Sequence, residues 1–194
     1  MSGAVGILLA AGFGRRFVAS GGGNKLLHPF EDGLPVGLRT ARVWKTALDK
    51  VLAVVRPEDA ILAGFFRQAG CEIVNNSDAL DGMGTSVAAG VAACPNACGW
   101  IVGLADMPYV SETTILALSR ALAEGASLAA PYFQGQRGQP VAFSARYRDE
   151  LLALQGDAGA REILKAHAQH VLRVEVDDRG ILRDIDTLQD LAAV

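Results

Sequence analysis

The chain has 194 residues, of which 51% are hydrophobic, with 18 Lys and Arg, 21 Asp and Glu and a net charge of −3 at pH 7. The hydrophobic fraction excludes a disordered chain, and the length predicts a single domain over residues 1–194 with a full core. The negative balance argues against a protein that coats nucleic acid. The charge is uneven, since Arg15, Arg16 and Lys25 fall within the first 30 residues, which contain no acid. That pattern favours a small anionic ligand over a polyanion.

The cysteines and the apolar N-terminal run indicate the compartment. Cys71, Cys94 and Cys98 are an odd number for a disulfide framework. Cys94 and Cys98 are spaced like one pair of ligands in a metal-binding knuckle. No second Cys or His pair is present to complete such a site, which favours a structural role for both cysteines. The apolar run 4–11 follows no basic stretch and is too short to span a membrane. It predicts a buried strand in a cytoplasmic protein that does not bind a membrane.

Short apolar runs alternate with helical patterns along most of the chain. The spacing predicts strands over 5–9, 51–55, 72–74, 100–104, 128–133, 139–143 and 171–176. It predicts helices over 38–48, 58–68, 85–93, 112–122, 145–154, 158–168 and 187–192, the fourth with Ser111 as N-cap. Such alternation is typical of an α/β fold whose mostly parallel sheet is covered on both faces. Ligands of these folds bind beyond the carboxyl ends of the strands.

A glycine-rich loop follows the first predicted strand, and residues 8–27 read LLAAGFGRRFVASGGGNKLL. Residues without bulky side chains let backbone N–H groups approach phosphate oxygens, while Arg15, Arg16 and Lys25 supply cations. The dinucleotide fingerprint does not match, because Phe17 stands where its third glycine belongs. The P-loop does not match either, because the lysine is not followed by Ser or Thr. The alternative interpretation is a mobile surface loop with solvated charges.

The pattern L-A-A-G-x-G-x-R followed by Lys-Leu-Leu resembles the signature loop of the molybdopterin-type nucleotidyltransferases, above all the molybdenum cofactor cytidylyltransferase group. The resemblance implies a single Rossmann-like three-layer α/β/α domain of the nucleotide-diphospho-sugar transferase type. It implies that the loop wraps a nucleoside triphosphate, with Arg16 and Lys25 as catalytic cations. Residues 18–20 lengthen the loop relative to the family. Ala11, where guanylyl-transferring relatives carry glycine, favours CTP. The implied nucleotide-binding residues of this loop are Leu9, Ala10, Ala11, Gly12, Gly14, Arg15 and Lys25.

Two acids are candidate metal ligands. Attack of an anionic acceptor on a triphosphate brings like charges together, and Mg²⁺ held by carboxylates and phosphates offsets that repulsion. Asp106 follows the 100–104 strand within a segment that resembles the family's metal-binding segment, which implies a catalytic ligand; helix capping is the alternative. Asp184-Ile185-Asp186-Thr187 resembles the family's D-I-D-T-P stretch. It implies Asp186 as the second Mg²⁺ ligand, with Asp184 as substitute, unless Asp186 only caps the last helix.

Three further segments complete the candidate site. Residues 81–86 resemble the family's G-M-G-x-S segment, which implies nucleotide contacts from Gly84 and Ser86, although helix capping also explains Ser86. Residues 132–141 and 156–161 resemble segments on the acceptor side of the family's site. They imply acceptor contacts from Gly138, Gln139, Pro140 and Asp157, the last of which also fits a cap of the following helix. Gln139 replaces a family histidine and cannot titrate near neutral pH.

The resemblance implies an enzyme that moves CMP from CTP to the phosphate of molybdopterin and releases pyrophosphate. Mg²⁺ is the implied cofactor, and a molybdoenzyme or its chaperone is the candidate recipient of the product. Two alternatives stay open. One is transfer to another phosphorylated acceptor, such as a sugar phosphate or an isoprenoid precursor. The other is a non-catalytic factor that only binds the finished cofactor; the intact Asp106 and the cationic loop count against it.

Overall fold

The computed structural model describes residues 3–30, 32–157 and 159–192. Within these ranges the chain forms eight strands and eight α-helices, joined by turns and short 3₁₀ segments. The strands are β1 (Val5–Leu9), β2 (Val51–Val55), β3 (Glu72–Asn75), β4 (Gly99–Leu104), β5 (Leu128–Phe133), β6 (Gln136–Arg137), β7 (Val141–Ser144) and β8 (Val171–Glu175). The helices are α1 (Arg15–Ala19), α2 (Val36–Ala47), α3 (Ala60–Gln68), α4 (Met83–Ala93), α5 (Glu112–Ala123), α6 (Arg148–Leu152), α7 (Ala160–Ala166) and α8 (Leu188–Ala192).

One sheet contains all the described strands, in the order β3-β2-β1-β4-β7-β5-β6, with β8 paired to β5. β1 is parallel to β2 and to β4, β2 is parallel to β3, and β5 is parallel to β8. β7 runs antiparallel between β4 and β5, and β6 runs antiparallel to β5. The predicted mostly parallel sheet is thus confirmed. It places the carboxyl ends of β1 and β4 side by side.

Helices cover both faces of this sheet. α2, α3 and α5 pack on one face, where Trp44, Phe66 and Ile115 are buried. α4, α6 and α7 lie on the other face, around Val91 and Trp100. The predicted three-layer α/β/α architecture is confirmed. Every residue of β2 is buried, as expected for an unbroken apolar run between two helical layers.

Most element bounds agree with the predicted ones to within two residues, and the predicted helix 145–154 differs more. β7 begins at Val141 instead of residue 139, because the N–H of Gln139 donates to the carbonyl of Ile181 (2.9 Å) and Pro140 has no N–H. The predicted helix 145–154 is split into a 3₁₀ turn and α6. Residue 158, where another helix was predicted to begin, lies outside the described residues.

Helix α1 corrects the prediction that the whole glycine-rich segment is a loop. Phe17 is fully buried, and its ring occupies the position that a Cβ on Gly22 would take. The N–H groups of Gly21 and Gly22 donate back to the carbonyls of Val18 and Phe17 at 3.0 and 3.1 Å. The lengthened part of the loop therefore forms a folded turn anchored by one aromatic side chain.

Candidate active site

The carboxyl ends of β1 and β4 border a cavity of about 600 Å³, here called the main cavity. The N–H of Ala105, directly after β4, donates to the carbonyl of Leu9 at 3.1 Å and ties the two strand ends together. The rest of the lining comes from the glycine-rich loop, the start of α4 and a segment near the C-terminus. The predicted site residues that line it are Leu9, Ala10, Ala11, Gly12, Gly14, Arg15, Arg16, Lys25, Ser86, Asp106, Asp157 and Asp186.

Residues 184–186 are held against β4 by one backbone bond. The N–H of Ile185 donates to the carbonyl of Asp106 at 2.9 Å, and the side chain of Ile185 is fully buried. Its two neighbours alternate to the other side of the chain, so Asp184 and Asp186 both line the main cavity. The N–H groups of Asp186 and Thr187 donate to the carboxylate of Asp190. Asp190, and not Asp186, therefore holds the start of α8.

Lys25 brings the cations and the acids together. It lies in a 3₁₀ turn whose cap is Asn24, with the buried Leu26 as anchor. The Lys25 ammonium forms an ion pair with Asp106 Oδ2 and lies 3.5 Å from Asp186 Oδ1. The Arg16 guanidinium donates to the other oxygen of Asp186. Groups separated by up to 170 positions in the chain thus share one small network.

Asp106 has an unusual electrostatic position. Burial raises the pKa of its carboxyl above the ordinary value, the Lys25 ammonium opposes that rise, and the charge of Asp184 adds to it. Its Oδ1 is buried and has no hydrogen-bond partner among the described residues. Capping, the alternative role, is taken by Ser111, whose hydroxyl accepts the N–H of Thr114 at the start of α5.

The donor set fits a divalent cation. Asp106 and Asp186 flank a single ammonium position, and both offer hard carboxylate oxygens. The unpartnered Oδ1 of Asp106 has unused acceptor capacity. No cluster of three His, Cys, Asp or Glu side chains among the described residues forms a complete metal cage. Substrate phosphates would have to supply the remaining ligands, as is common for Mg²⁺.

The start of α4 forms another wall of the main cavity. The nucleotide contacts expected of Gly84 and Ser86 stay predictions. The buried Asn76 amide donates to the hydroxyl of Ser86 at 2.9 Å, and Ser86 lines the cavity as expected. Gly84 does not line it, because its N–H is turned to the carbonyl of Gly156 at 2.8 Å. The same contact brings Asp157 into the main cavity. Gly159, and not Asp157, is the cap of α7.

The predicted acceptor segment lies beside the main cavity. Gly138, Gln139 and Pro140 precede β7, which pairs with β4, and none of the three lines the cavity. A Cβ on Gly138 would overlap Ile181, and the N–H of Gln139 donates to the carbonyl of Ile181 at 2.9 Å. The segment therefore supports the chain that leads to Asp184. Its contact with an acceptor stays a prediction.

Three exposed apolar side chains at the main cavity were not predicted. Phe13, Leu80 and Met83 are 36%, 74% and 47% exposed. The guanidinium of Arg56 lies 4.5 Å from the centre of the Phe13 ring and is itself held by Asp59. A signal was present in the sequence, since Phe13 and Met83 each stand between two glycines. A large apolar residue in such a loop lacks neighbours to bury it.

Comparison with known proteins assigns this architecture to a family. The MobA-like NTP transferase domain matches residues 6–171. The chain belongs to that family. It is a nucleotidyltransferase with an α/β nucleotidyltransferase fold, as the resemblance implied. No described helix of this MobA-like protein is long and apolar enough to cross a membrane.

Relatives of this MobA-like chain match it along nearly the whole length. The purine catabolism protein PucB of Bacillus subtilis is 33% identical over 96% of this chain and 93% of its own. The nicotine blue oxidoreductase of Paenarthrobacter nicotinovorans is 31% identical over the same shares. The crystal structure of Rv0371c from Mycobacterium tuberculosis superposes with a TM-score of 0.84 at 24% identity, over 98% of this chain and 96% of that one. Rv0371c has also been solved in complex with manganese.

A glycine substitution tests the wall formed by α4. Gly82 has φ +110, and a Cβ there would overlap the carbonyl group of Gly156. Gly82→Ala should lower the free energy of unfolding by about 3 kcal/mol, since backbone strain and steric overlap add. Gly125→Ala is the matched control, because Gly125 has φ +98 and open space around its Cβ position. The Gly125→Ala control should lower the free energy of unfolding by only about 1–2 kcal/mol. Equal losses of unfolding free energy in the two variants, measured by urea unfolding, would contradict the close approach of Gly82 to Gly156.

Proposed function

We propose that this chain transfers CMP from CTP to the phosphate of a molybdopterin-type acceptor and releases pyrophosphate. One observation carries the proposal: Lys25 and Arg16, from the glycine-rich loop, meet Asp106 and Asp186 in one cavity. Cations from a phosphate-binding loop and carboxylates for a metal are the two requirements of nucleotidyl transfer. Ala11 at this cavity supports CTP through the family resemblance.

The reaction balances without a protein nucleophile. An oxygen of the acceptor phosphate attacks the α-phosphorus of CTP, a new P–O bond forms, and the bond to the β-phosphate oxygen breaks. Lys25 and Arg16 exchange their carboxylate partners for phosphate oxygens and hold the departing pyrophosphate. Asp106 and Asp186 would hold Mg²⁺ or Mn²⁺, and manganese is the ion named for the solved Rv0371c complex. A divalent cation there supplies charge neutralisation for the triphosphate.

Two other functions are weighed against this one. Gln139 in place of the family's histidine favours an altered acceptor, such as a sugar phosphate or an isoprenoid precursor. The second alternative is a non-catalytic factor that only binds the finished dinucleotide cofactor. A molybdoenzyme or its chaperone would take up the product of the proposed reaction in the cytoplasm.

Pyrophosphate release distinguishes these functions. The purified chain is incubated with CTP, GTP or UTP, with Mg²⁺ or Mn²⁺, and with the metal-loaded pterin phosphate, a sugar phosphate or an isoprenoid precursor phosphate. The expected result is release from CTP with the pterin phosphate, at least about 10-fold faster than from GTP. Release only with another acceptor, or dinucleotide binding without release from any nucleotide, would contradict the proposal. Nicotine blue reduction is measured in parallel, because one relative is named for that activity.

A further inference from the structure

β8 forms an open edge of the sheet. It pairs with β5 on one side, and no described strand pairs with its other side. The N–H of Val176 donates to the carbonyl of Tyr132 at 2.9 Å, which fixes the direction of the backbone groups along this segment. Because backbone groups alternate in direction along a strand, Arg173 and Glu175 turn their N–H and C=O groups outward. These groups can pair with one further strand.

The side chains along this edge are charged and exposed. Arg173 and Glu175 form an exposed ion pair at 3.2 Å, and the Arg173 guanidinium is stacked on the Tyr132 ring at 4.2 Å. Leu172 is exposed on the opposite face of the strand. Charged side chains on an edge strand commonly prevent pairing. Here the two charges are of opposite sign and two residues apart, so their effect depends on the register of the pairing.

Residues 172–176, which read LRVEV, are complementary to themselves in the antiparallel direction. If Val174 lies opposite Val174 of a second copy, Arg173 lies opposite Glu175 and Leu172 lies opposite Val176. Opposite charges and apolar pairs placed in this way stabilise a sheet. Moving the centre by one residue places Arg173 against Arg173 or Glu175 against Glu175, which is unfavourable. In the register centred on Val174, each Arg173–Glu175 pair also exchanges two backbone hydrogen bonds.

The other edges of the described sheet lack this pattern. β3 is the edge strand at the far end of the sheet. The N–H of Asn76 donates to the carbonyl of Val55 at 2.8 Å, so Ile73 and Asn75 turn their backbone groups outward. Self-pairing of β3 in the matching register would place an apolar side chain against an amide, without an ion pair. β6 has only two residues, and very short edge strands resist pairing.

We propose that two copies of this chain form a dimer by antiparallel pairing of their β8 strands, with Val174 at the two-fold axis. The two sheets then form one continuous sheet. Arg173 and Glu175 of both copies form a network of four charges with alternating sign. The small contact predicts a weak dimer, with a dissociation constant of about 1–100 μM. The inference concerns assembly and does not depend on the nucleotide or the acceptor proposed above.

The proposed dimer leaves the main cavity of each copy open. β7 lies antiparallel between β4 and β5, so β5 and its parallel partner β8 run in the same direction as β4. The carboxyl end of β8 therefore lies at the same end of the sheet as the main cavity. A two-fold axis perpendicular to the sheet reverses the second copy. The two main cavities then lie at opposite ends of the combined sheet, away from the paired strands.

Charge reversal tests the register of the pairing. Sedimentation velocity of the full chain between about 1 and 500 μM should show a monomer–dimer equilibrium. Arg173→Glu places Glu against Glu, and Glu175→Arg places Arg against Arg, so each variant alone should dimerise at least about 10-fold more weakly. An equimolar mixture of the two variants should associate as strongly as the unmodified chain, because every charge then faces one of opposite sign. A folding defect in either variant would not produce this rescue.

Glu72→Arg is the matched control, because it reverses an exposed charge on the other edge strand, β3. Its dissociation constant should equal that of the unmodified chain. The proposal is overturned by a chain that stays monomeric at about 500 μM, by equal weakening in the control, or by variants that do not associate when mixed. Pyrophosphate release is measured on the same samples. Its absence would contradict the proposed function and leave the dimer unaffected.

Discussion

Asp106→Asn should abolish pyrophosphate release, with a loss on the order of 10³-fold in kcat. Asn keeps the shape of the side chain but removes the negative charge that pairs with Lys25 and that would hold a divalent cation. A steady-state assay of pyrophosphate release measures the loss. Near-normal turnover in this variant would contradict the assignment of Asp106 as a metal ligand.

The same variant should fold at least as stably as the unmodified chain at pH 7. Burial raises the pKa of Asp106 in the folded chain above its unfolded value. A raised pKa means that the stabilising contribution of this carboxyl is complete below its unfolded pKa and is lost as pH rises through the folded pKa. Asn avoids that loss, so its melting temperature should equal or exceed that of the unmodified chain at pH 7. The difference should shrink toward acid pH, where Asp106 is protonated.

Asp177→Asn is the control for both measurements. Asp177 is exposed and has no hydrogen bond or ion pair with any described residue. Removing its charge should change neither pyrophosphate release nor the melting temperature. A melting temperature that falls in Asp106→Asn alone would mean that the pair with Lys25 stabilises the fold more than burial of the charge destabilises it.

Lys25→Met should reduce kcat/KM for CTP on the order of 10²-fold, because a charge-assisted contact to the triphosphate is lost. The Lys25 side chain is only 14% exposed, and it is the cation that Asp106 and Asp186 share. A methionine side chain preserves most of the length and of the apolar part of the lysine side chain. Initial rates over a range of CTP concentrations separate the effect on KM from the effect on kcat.

Lys165→Met is the matched control for Lys25. Lys165 lies on α7, where it forms an exposed pair with Glu162. Exposed pairs contribute little, so its loss should leave kcat/KM unchanged. An unchanged rate in Lys25→Met would mean that the lengthened loop does not bring this ammonium to the triphosphate.

Much of the main cavity could be predicted because the decisive residues follow strand ends. Asp106 comes directly after a buried apolar strand, and the glycine-rich loop follows another, so a parallel sheet necessarily brings them to one edge. Asp184 and Asp186 could be placed on the same side of an extended segment by their spacing alone. Their position in the cavity also required the bond from Ile185 to Asp106, which joins residues remote in the chain.

The parts that sequence reasoning missed depend on long-range packing. Helix α1 forms because the Phe17 ring fills the space beside Gly22, and no local periodicity announces that contact. Asp157 enters the main cavity because Gly82 and Gly156 pack backbone to backbone. The same contact turns the N–H of Gly84 away from the ligand side. Each of these contacts forms only when two segments of the chain meet. The sequence of either segment alone is compatible with several positions in the fold.

The bond between Ile185 and Asp106 has a consequence for synthesis of the protein. The matched family domain ends at residue 171, whereas Asp184 and Asp186 come later in the chain. A nascent chain that has emerged from the ribosome only to residue 180 already contains all eight strands of the described sheet. It still lacks one wall of the main cavity and one of the two carboxylates that face Lys25. In the proposed reaction, the site is therefore complete only after residues 184–186 have docked against Asp106.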